Sequence, residues 1–411
     1  MPTAHRIRRR SLLAGAATLP LAHTARAQTA KPVVFAMISP LSGPWAREGE
    51  LQRQGAEMAI DDINKAGGIK ALGGALVRLV QLDAGDSADK AKDAAQRLIA
   101  QQPDVSGGFG AWLSTFTLAV TEVTERAGIP WFTQSYSDLI TGRGFRFVFQ
   151  SSPTAVDQAE KALPTIMALA EHSTGRRPKK IGIIADNTAS SVSFLKPIRD
   201  HVLKNLGLTP VVDEVFTPPL ADATTVIQHV RSGRPDLLLA LPSNVGDDKM
   251  LLDKLAEFGL GRGRLPVVGN GGHWATPELA QNAGKDLVQG MMVITAAGAG
   301  RGLEDIEKRY MARTGEPWML QEPIMAYGHI MLLAEAVERA RSPEPAKVAD
   351  QIRAFDLRDG PAKLFPGNHI KYDANGRRVD AELMIVQWQD GRVVTTYPPG
   401  MAVAPAIWPK A

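Results

Sequence analysis

The chain has 411 residues, with 47 Lys and Arg against 43 Asp and Glu, and it has no cysteine. That absence excludes disulfides, thiolate nucleophiles and cysteine-held metals. The length suits two domains of roughly 150–200 residues each, and beyond the N-terminus no run of about 18 apolar residues offers a transmembrane span.

The first 27 residues read as an export signal. Arg6 to Arg10 give a basic start, Leu12 to Ala22 an apolar run, and Ala25-Arg26-Ala27 a small-residue cleavage pattern. Arg9-Arg10-Ser11-Leu12-Leu13 also fits the twin-arginine pattern, so both export routes stay open. No cysteine exists to carry a lipid anchor. Cleavage after Ala27 removes five arginines and no acid, leaving 42 basic and 43 acidic residues. The basic surplus therefore belongs to the leader, and the case for a nucleic-acid partner goes with it.

From Pro32 the chain alternates strands and helices. Pro32–Ser39 is a continuous apolar run, as a buried parallel strand requires. Ala56, Ala59, Ile60 and Ile63 then recur at helical spacing, and Asn64 to Gly68 supplies the stop. "LVRLVQLD", "DVSGGFG", "IPWFT" and "FRFVFQ" read as strands, with helices over "DKAKDAAQRLIAQ" and "STFTLAVTEVTERAG". After Gln150 the series restarts. "KKIGIIAD", "TPVVDEVF", "PDLLLALPS", "LPVVGNGG" and "GMMVIT" are strands. Helices are expected at Ser190–Leu206, about Ala223–Ser232 and Gly246–Phe258. A helical region follows from "LEDIEKRYMARTG" to "AEAVERARS". The tail "AELMIVQWQDGRVVTTYP" alternates around Asp390-Gly391, a hairpin turn. Two successive βα series predict an α/β protein of two doubly wound parallel-sheet lobes.

The motifs of catalysis are missing. There is no P-loop, no G-x-S-x-G elbow and no H-E-x-x-H. "GGFGAWL" has Gly108 and Gly110 but Leu113 where a dinucleotide fingerprint needs its third glycine. His172, His201, His229, His273, His329 and His369 lie far apart without ligand spacing. No catalytic residue, metal or cofactor is expected. What remains is a set of loops at the carboxyl ends of strands, where open α/β sheets place ligands. "SPLSGPWAREG", "GFGAWLST", "TQSYSDLIT", "DNTASS", "LPSNVGDD" and "GNGGHWAT" are rich in hydroxyl, glycine and aromatic residues. They suit a cleft for a small polar molecule, and a helix beginning at Ser114-Thr115 favours a carboxylate.

With these residues in view, the sequence resembles the branched-chain-amino-acid-type substrate-binding proteins of ABC transporters. That is the leucine/isoleucine/valine class of the type I periplasmic binding fold. The resemblance runs through "LSGPWAREG", "GAEMAIDDINKAGGI", "RLIAQQPDVSGGFGAWLSTFTLAVTEVTERAGIPWFT", "SYSDLITGRGFRFVFQSSPT", "KKIGIIADN" and "DLVQGMMVIT". It implies a three-crossover hinge, with lobe 1 over 28–150 plus about 297–375 and lobe 2 over 151–296 plus about 376–411. It implies ligand capture without chemistry, in the periplasm, by a monomer that serves an inner-membrane ABC permease.

Carried over by position, Trp112, Leu113, Ser114, Ser135, Tyr136 and Ser137 would hold a ligand carboxylate. Trp45 to Glu48 would form a side wall. Ser190, Ser243-Asn244 and Asn270 to His273, Gly271 among them, would close from the other lobe. The pattern departs from the family at four places. Gly271 stands where amino-acid binders carry an acid for the ligand ammonium, Glu48 and Ser190 stand at usually aromatic positions, and Trp112 replaces a small hydroxyl residue. A buried ammonium without a partner is costly, unless Glu48 supplies the acid from the other lobe. The expected ligand is therefore a small carboxylate- or amide-bearing molecule, an aromatic acid ahead of an amino acid. A ligand-sensing subunit with the same fold and an exported α/β enzyme are the other classes.

Overall fold

Val33–Ser39 forms strand β1, and all of it is buried. The computed structural model describes residues 1–2 and 31–408, so the export leader lies outside the described residues apart from its first two positions. The helix α1 follows at Ala46–Lys65, then β2 (Val77–Asp83), α2 (Ala88–Gln101), β3 (Val105–Gly110), α3 (Ser114–Arg126), β4 (Trp131–Thr133) and β5 (Val148–Gln150). These strands form one parallel sheet in the order β2-β1-β3-β4-β5. The period-two alternation of β1 splits its side chains between two cores. Phe35 and Met37 enter one cluster with α1, while Val34, Ala36 and Ile38 enter another with α2 and α3.

The second series is α4 (Ala155–Thr174), β6 (Lys180–Asp186), α5 (Ala189–Pro197), α6 (Leu203–Leu206), β7 (Thr209–Phe216), α7 (Thr224–Gly233) and β8 (Leu237–Leu241). It continues with α8 (Val245–Glu257), β9 (Val267–Asn270), α9 (Pro277–Ala283), α10 (Lys285–Val288) and β10 (Met292–Thr295). The chain then adds α11 (Glu304–Thr314), α12 (Gln321–Ala340) and α13 (Pro345–Arg353), and ends in β11 (Met384–Gln389) and β12 (Arg392–Tyr397). The second sheet has the order β12-β11-β10-β9-β8-β6-β7. Its β6 to β10 strands are parallel, and the β11–β12 hairpin is antiparallel to β10. Asp390-Gly391 makes the hairpin turn, both at positive φ.

Helices α11, α12 and α13 pack into the core of the first sheet although they follow the second series in sequence. Their place is set by a close helix pair. A Cβ on Gly55 of α1 would lie 2.1 Å from the carbonyl oxygen of Pro323 in α12, so only glycine permits this approach. The chain passes between lobes after β5, after β10 and before β11, and two of these segments are tied together. Gln150 N–H donates to Gly376 O (2.8 Å), Arg378 N–H to Gln150 O (3.0 Å), and the Ser151 and Tyr372 hydroxyls lie 2.9 Å apart.

The lobes are closed on each other. Leu51 of α1 packs into the α7/α8 core of the second lobe. The Ser137 and Ser193 hydroxyls meet at 2.8 Å, Ala189 N–H donates to Thr115 Oγ1 (3.3 Å), and Arg47 pairs with Glu278 at 2.7 Å while gripping Glu316 of its own lobe.

Candidate ligand-binding cleft

The strand ends of both sheets meet at the lobe interface, and their loops line a cleft there. On the first lobe the turn after β3 is unusual. Gly110, Ala111 and Trp112 have φ of 118°, 63° and 46° in succession. A left-handed conformation costs an L-residue roughly 1–2 kcal/mol, so the turn must be held in place. Ala111 N–H donates to Ile38 O (2.5 Å) and Ser135 Oγ to Trp112 O (2.6 Å). The Trp112 indole N–H donates to Glu322 Oε1 at 3.2 Å.

The result of this turn is that α3 begins at the cleft without a side-chain cap. Its first amides have no partner within the helix, and its dipole favours an anion there. The Ser114 hydroxyl accepts from Tyr136 N–H (3.2 Å) and Ser137 N–H (3.1 Å), which fixes the start of α3 to the loop after β4. Ser135 Oγ also lies 2.6 Å from Thr117 Oγ1. The hydroxyls of Ser114 and Ser135 thus build the frame, and Leu113 and Ser114 bring the uncapped start of α3 to the cleft wall.

The second lobe contributes α5, whose start carries Ser190 and also lacks a side-chain cap. Ser191 donates to Leu241 O (3.0 Å), and the Asn270 amide donates to Gln158 Oε1 (2.8 Å). Gly271 has φ 108°, and a Cβ there would stand 2.6 Å from His273 Nε2. The imidazole therefore occupies the space a side chain at 271 would need.

His273 Nδ1 lies 2.6 Å from Asp248 Oδ2, both buried. Burial opposes the imidazolium, yet Asp248, Glu48 and Glu322 together push His273 up to about 9. Burial pushes Asp248 up to about 7 although His273 holds it down. Of these opposed effects the imidazole's rise decides the charge at so short a contact, and the pair is imidazolium–carboxylate with Nδ1–H donating. Glu48 is fully buried with both oxygens unpartnered, and burial pushes it up to about 8, so it is a neutral acid at pH 7. Glu322 is raised by burial as well, and the phenol of Tyr136 is pushed far above its ordinary range by the same cause. The cleft wall itself carries no Asp, Glu, Lys or Arg.

Of the residues expected from sequence, Trp112, Leu113, Ser114, Ser135, Tyr136, Ser190, Ser243, Asn270, Gly271 and His273 line the cleft. Others lie off its wall. Trp45 packs edge-on against Phe116 at 5.3 Å in the α2/α3 core. Glu48 sits behind the wall beside Glu322 and His273. Ser137 spends its hydroxyl on Ser193 across the lobe boundary. Asn244 caps α8 by accepting from Asp247 N–H at 2.9 Å. Sequence reasoning missed Gln134, Ser191 and Gln321 on the wall, and Asp248 and Glu322 behind it. Gln134 adjoins an expected residue, whereas Gln321 and Glu322 arrive from the start of α12 with no local signal. Among the described residues no group of three or more His, Asp or Glu side chains is arranged to hold a metal, and no helix is long and apolar enough to cross a membrane.

A family model described as "Periplasmic binding protein" matches residues 32–392. The "Leu/Ile/Val-binding protein homolog 8" of Brucella suis is 29% identical over 406 residues, covering 96% of this chain and 98% of that protein. The branched-chain amino acid transporter substrate-binding protein LivJ of Streptococcus pneumoniae, solved with isoleucine, aligns at TM-score 0.75 and 19% identity. It covers 89% of this chain and 100% of that one. An ABC-transporter solute-binding protein of R. palustris, solved with benzoate, aligns at TM-score 0.73 and 18% identity over 92% of this chain and 100% of that one. At these identities the two structures speak for the fold: two α/β lobes of the type I periplasmic binding architecture. The chain belongs to the periplasmic binding protein family, and its curated relatives are Leu/Ile/Val-binding protein homologues.

Proposed function

We propose that this chain captures a small carboxylate-bearing molecule between its lobes and delivers it to an inner-membrane ABC permease. The observation that carries this is the uncapped start of α3, aimed into the cleft by a strained turn held at three points. Backbone amides at a helix start bind a carboxylate without a counter-cation. Trp112 and Tyr136 give the space aromatic walls, which favours an aromatic acid of the kind the R. palustris protein holds. An amino acid is the second reading, supported by the isoleucine of the Streptococcus protein. The wall, however, offers no acid to an ammonium group.

Function here is binding rather than turnover. His273 and Asp248 resemble the base and orienting acid of a hydrolase, but among the described residues no hydroxyl is hydrogen-bonded to His273 Nε2, and an imidazolium cannot serve as a base. Ligand touching both lobes would draw the open form closed in proportion to its preference for the closed one. The lobes are taken as 28–150 with about 297–375, and 151–296 with about 376–411. The mature protein is taken as a periplasmic monomer released by cleavage after Ala27. Thermal-shift titration with benzoate, leucine and benzamide tests the reading, since a ligand of the native state raises Tm. Stabilisation by benzoate and not by benzamide is expected, and stabilisation by neither benzoate nor leucine would remove the proposal. Loss of labelled-ligand uptake in cells lacking this chain, with recovery on its return, tests delivery.

A further inference from the structure

Two polar side chains on the cleft wall have nothing to bind. Gln134, 2% exposed, has neither its amide oxygen nor its amide nitrogen hydrogen-bonded, and Ser243, 7% exposed, has a free hydroxyl. On the same wall the hydroxyls of Ser114, Ser135 and Ser191 are engaged within the protein. Buried polar groups left single are destabilising, and on a cleft wall a bound ligand can complete them. They also come from opposite lobes: Gln134 follows β4 and Ser243 follows β8. A primary amide presents one acceptor and two donors, and a hydroxyl can do either. Their complement is a group that both donates and accepts.

Resting on the carboxylate reading above, we propose that the ligand carries a second, uncharged hydrogen-bonding group, a hydroxyl or a carboxamide. Gln134 reads it from the first lobe and Ser243 from the second. Three features exclude an ammonium from this role. No carboxylate lines the cleft, the nearest acids sit behind Trp112 and Gly272, and the wall's cationic candidate is His273. Gln134 and Ser243 are then the specificity-determining pair. A site built to bond such a group rejects an analogue that lacks it more strongly than an apolar pocket rejects a missing methylene, because its own polar atoms go unpaired.

The test is calorimetric titration of the mature chain with benzoate, meta- and para-hydroxybenzoate, para-carbamoylbenzoate and para-(aminomethyl)benzoate. At least one hydroxyl or carbamoyl acid should bind about tenfold or more tighter than benzoate, and the aminomethyl acid more weakly than benzoate. Gln134→Leu should bring the preferred acid and benzoate to within about twofold of each other, the readout being the ratio and not the affinity. If Gln134→Leu binds neither, Ser243→Ala must show the same loss of preference. Benzoate binding as tightly as all its substituted forms, or a preference that survives both substitutions, overturns the inference while leaving the carboxylate reading in place. Binding of leucine with no binding of any aromatic acid overturns the inference and leaves the carboxylate reading in place, whereas binding of neither leucine nor any aromatic acid overturns both.

Discussion

Glu48→Gln should make the protein more stable at alkaline pH and leave it unchanged at acid pH. Glu48 is fully buried, faces Glu322 on α12, Asp248 on α8 and His273 after β9, and none of its oxygens is bonded. Burial lifts it from 4.5 to about 8. A carboxyl with a raised folded value takes up a proton on folding. The folded state is therefore favoured at low pH and penalised progressively as pH rises from about 4.5 to about 8. Between pH 5 and pH 8 that linkage amounts to roughly 3 kcal/mol. A folded unit of nearly 400 residues has an unfolding entropy near 0.8 kcal/mol/K, which converts this to about 4 °C in Tm. Glutamine reproduces the neutral acid in shape and polarity, so the variant should match the wild type at pH 5 and exceed it by about 4 °C at pH 8. His273, raised to about 9, adds a second component of the same sign. It is fully present below about 6.5 and lost as pH rises through 9, and in the variant it persists through Asp248 without the share that Glu48 supplies. Thermal unfolding of both proteins from pH 5 to pH 9 is the assay. Parallel Tm curves over pH 5 to 8, or a wild type that gains stability as pH rises there, would refute the assignment of Glu48 as a buried neutral acid.

Three further outcomes follow from contacts at the lobe boundary and the cleft wall. Ser137→Ala removes the 2.8 Å hydroxyl contact with Ser193 that joins the two lobes. At about 0.5–1.5 kcal/mol for a neutral bond, affinity should fall about two- to tenfold in calorimetry; an unchanged Kd would mean closure does not depend on it. Arg47→Ala breaks the 2.7 Å pair with Glu278, which is partly exposed. Its effect should be a few-fold loss of affinity at low salt that shrinks at high salt, and a salt-independent loss would argue against an electrostatic latch. Gly271→Ala places a Cβ 2.6 Å from His273 Nε2 at φ 108°. A loss of about 1–3 kcal/mol in denaturant unfolding, together with weakened binding, is expected. Wild-type stability would show that the imidazole does not fill that space.

Much of this architecture was legible because parallel strands are buried on both faces and announce themselves as apolar runs. The Asp390-Gly391 turn likewise marked the β11–β12 hairpin. Helix α4 was not read. It carries Pro164 in its interior, and a proline argues against a helix unless tertiary packing keeps it. The cleft was legible to the extent that strand-end loops form it, so ten expected residues line it. Glu48 and Trp45 were placed on the wall because their loop borders it, but local phase decides otherwise. Glu48 shares a buried helical face with Leu51, Gln52 and Gly55, which turns it toward the lobe boundary. Trp45 precedes that helix on a short turn and faces Phe116 instead. Gln321, Glu322 and Asp248 reach the site from the starts of α12 and α8. Their role depends on how the helices are stacked between lobes, which no local pattern encodes.

The central claim is that the start of α3 holds the carboxylate of a small molecule enclosed by both lobes. A crystal structure of the mature chain grown with benzoate tests it most directly. The expected result is an intact benzoate in the cleft, its carboxylate on the backbone amides at Leu113 to Thr115 and its ring between Trp112 and Tyr136. An empty cleft, or benzoate seated elsewhere on the molecule, would contradict the account.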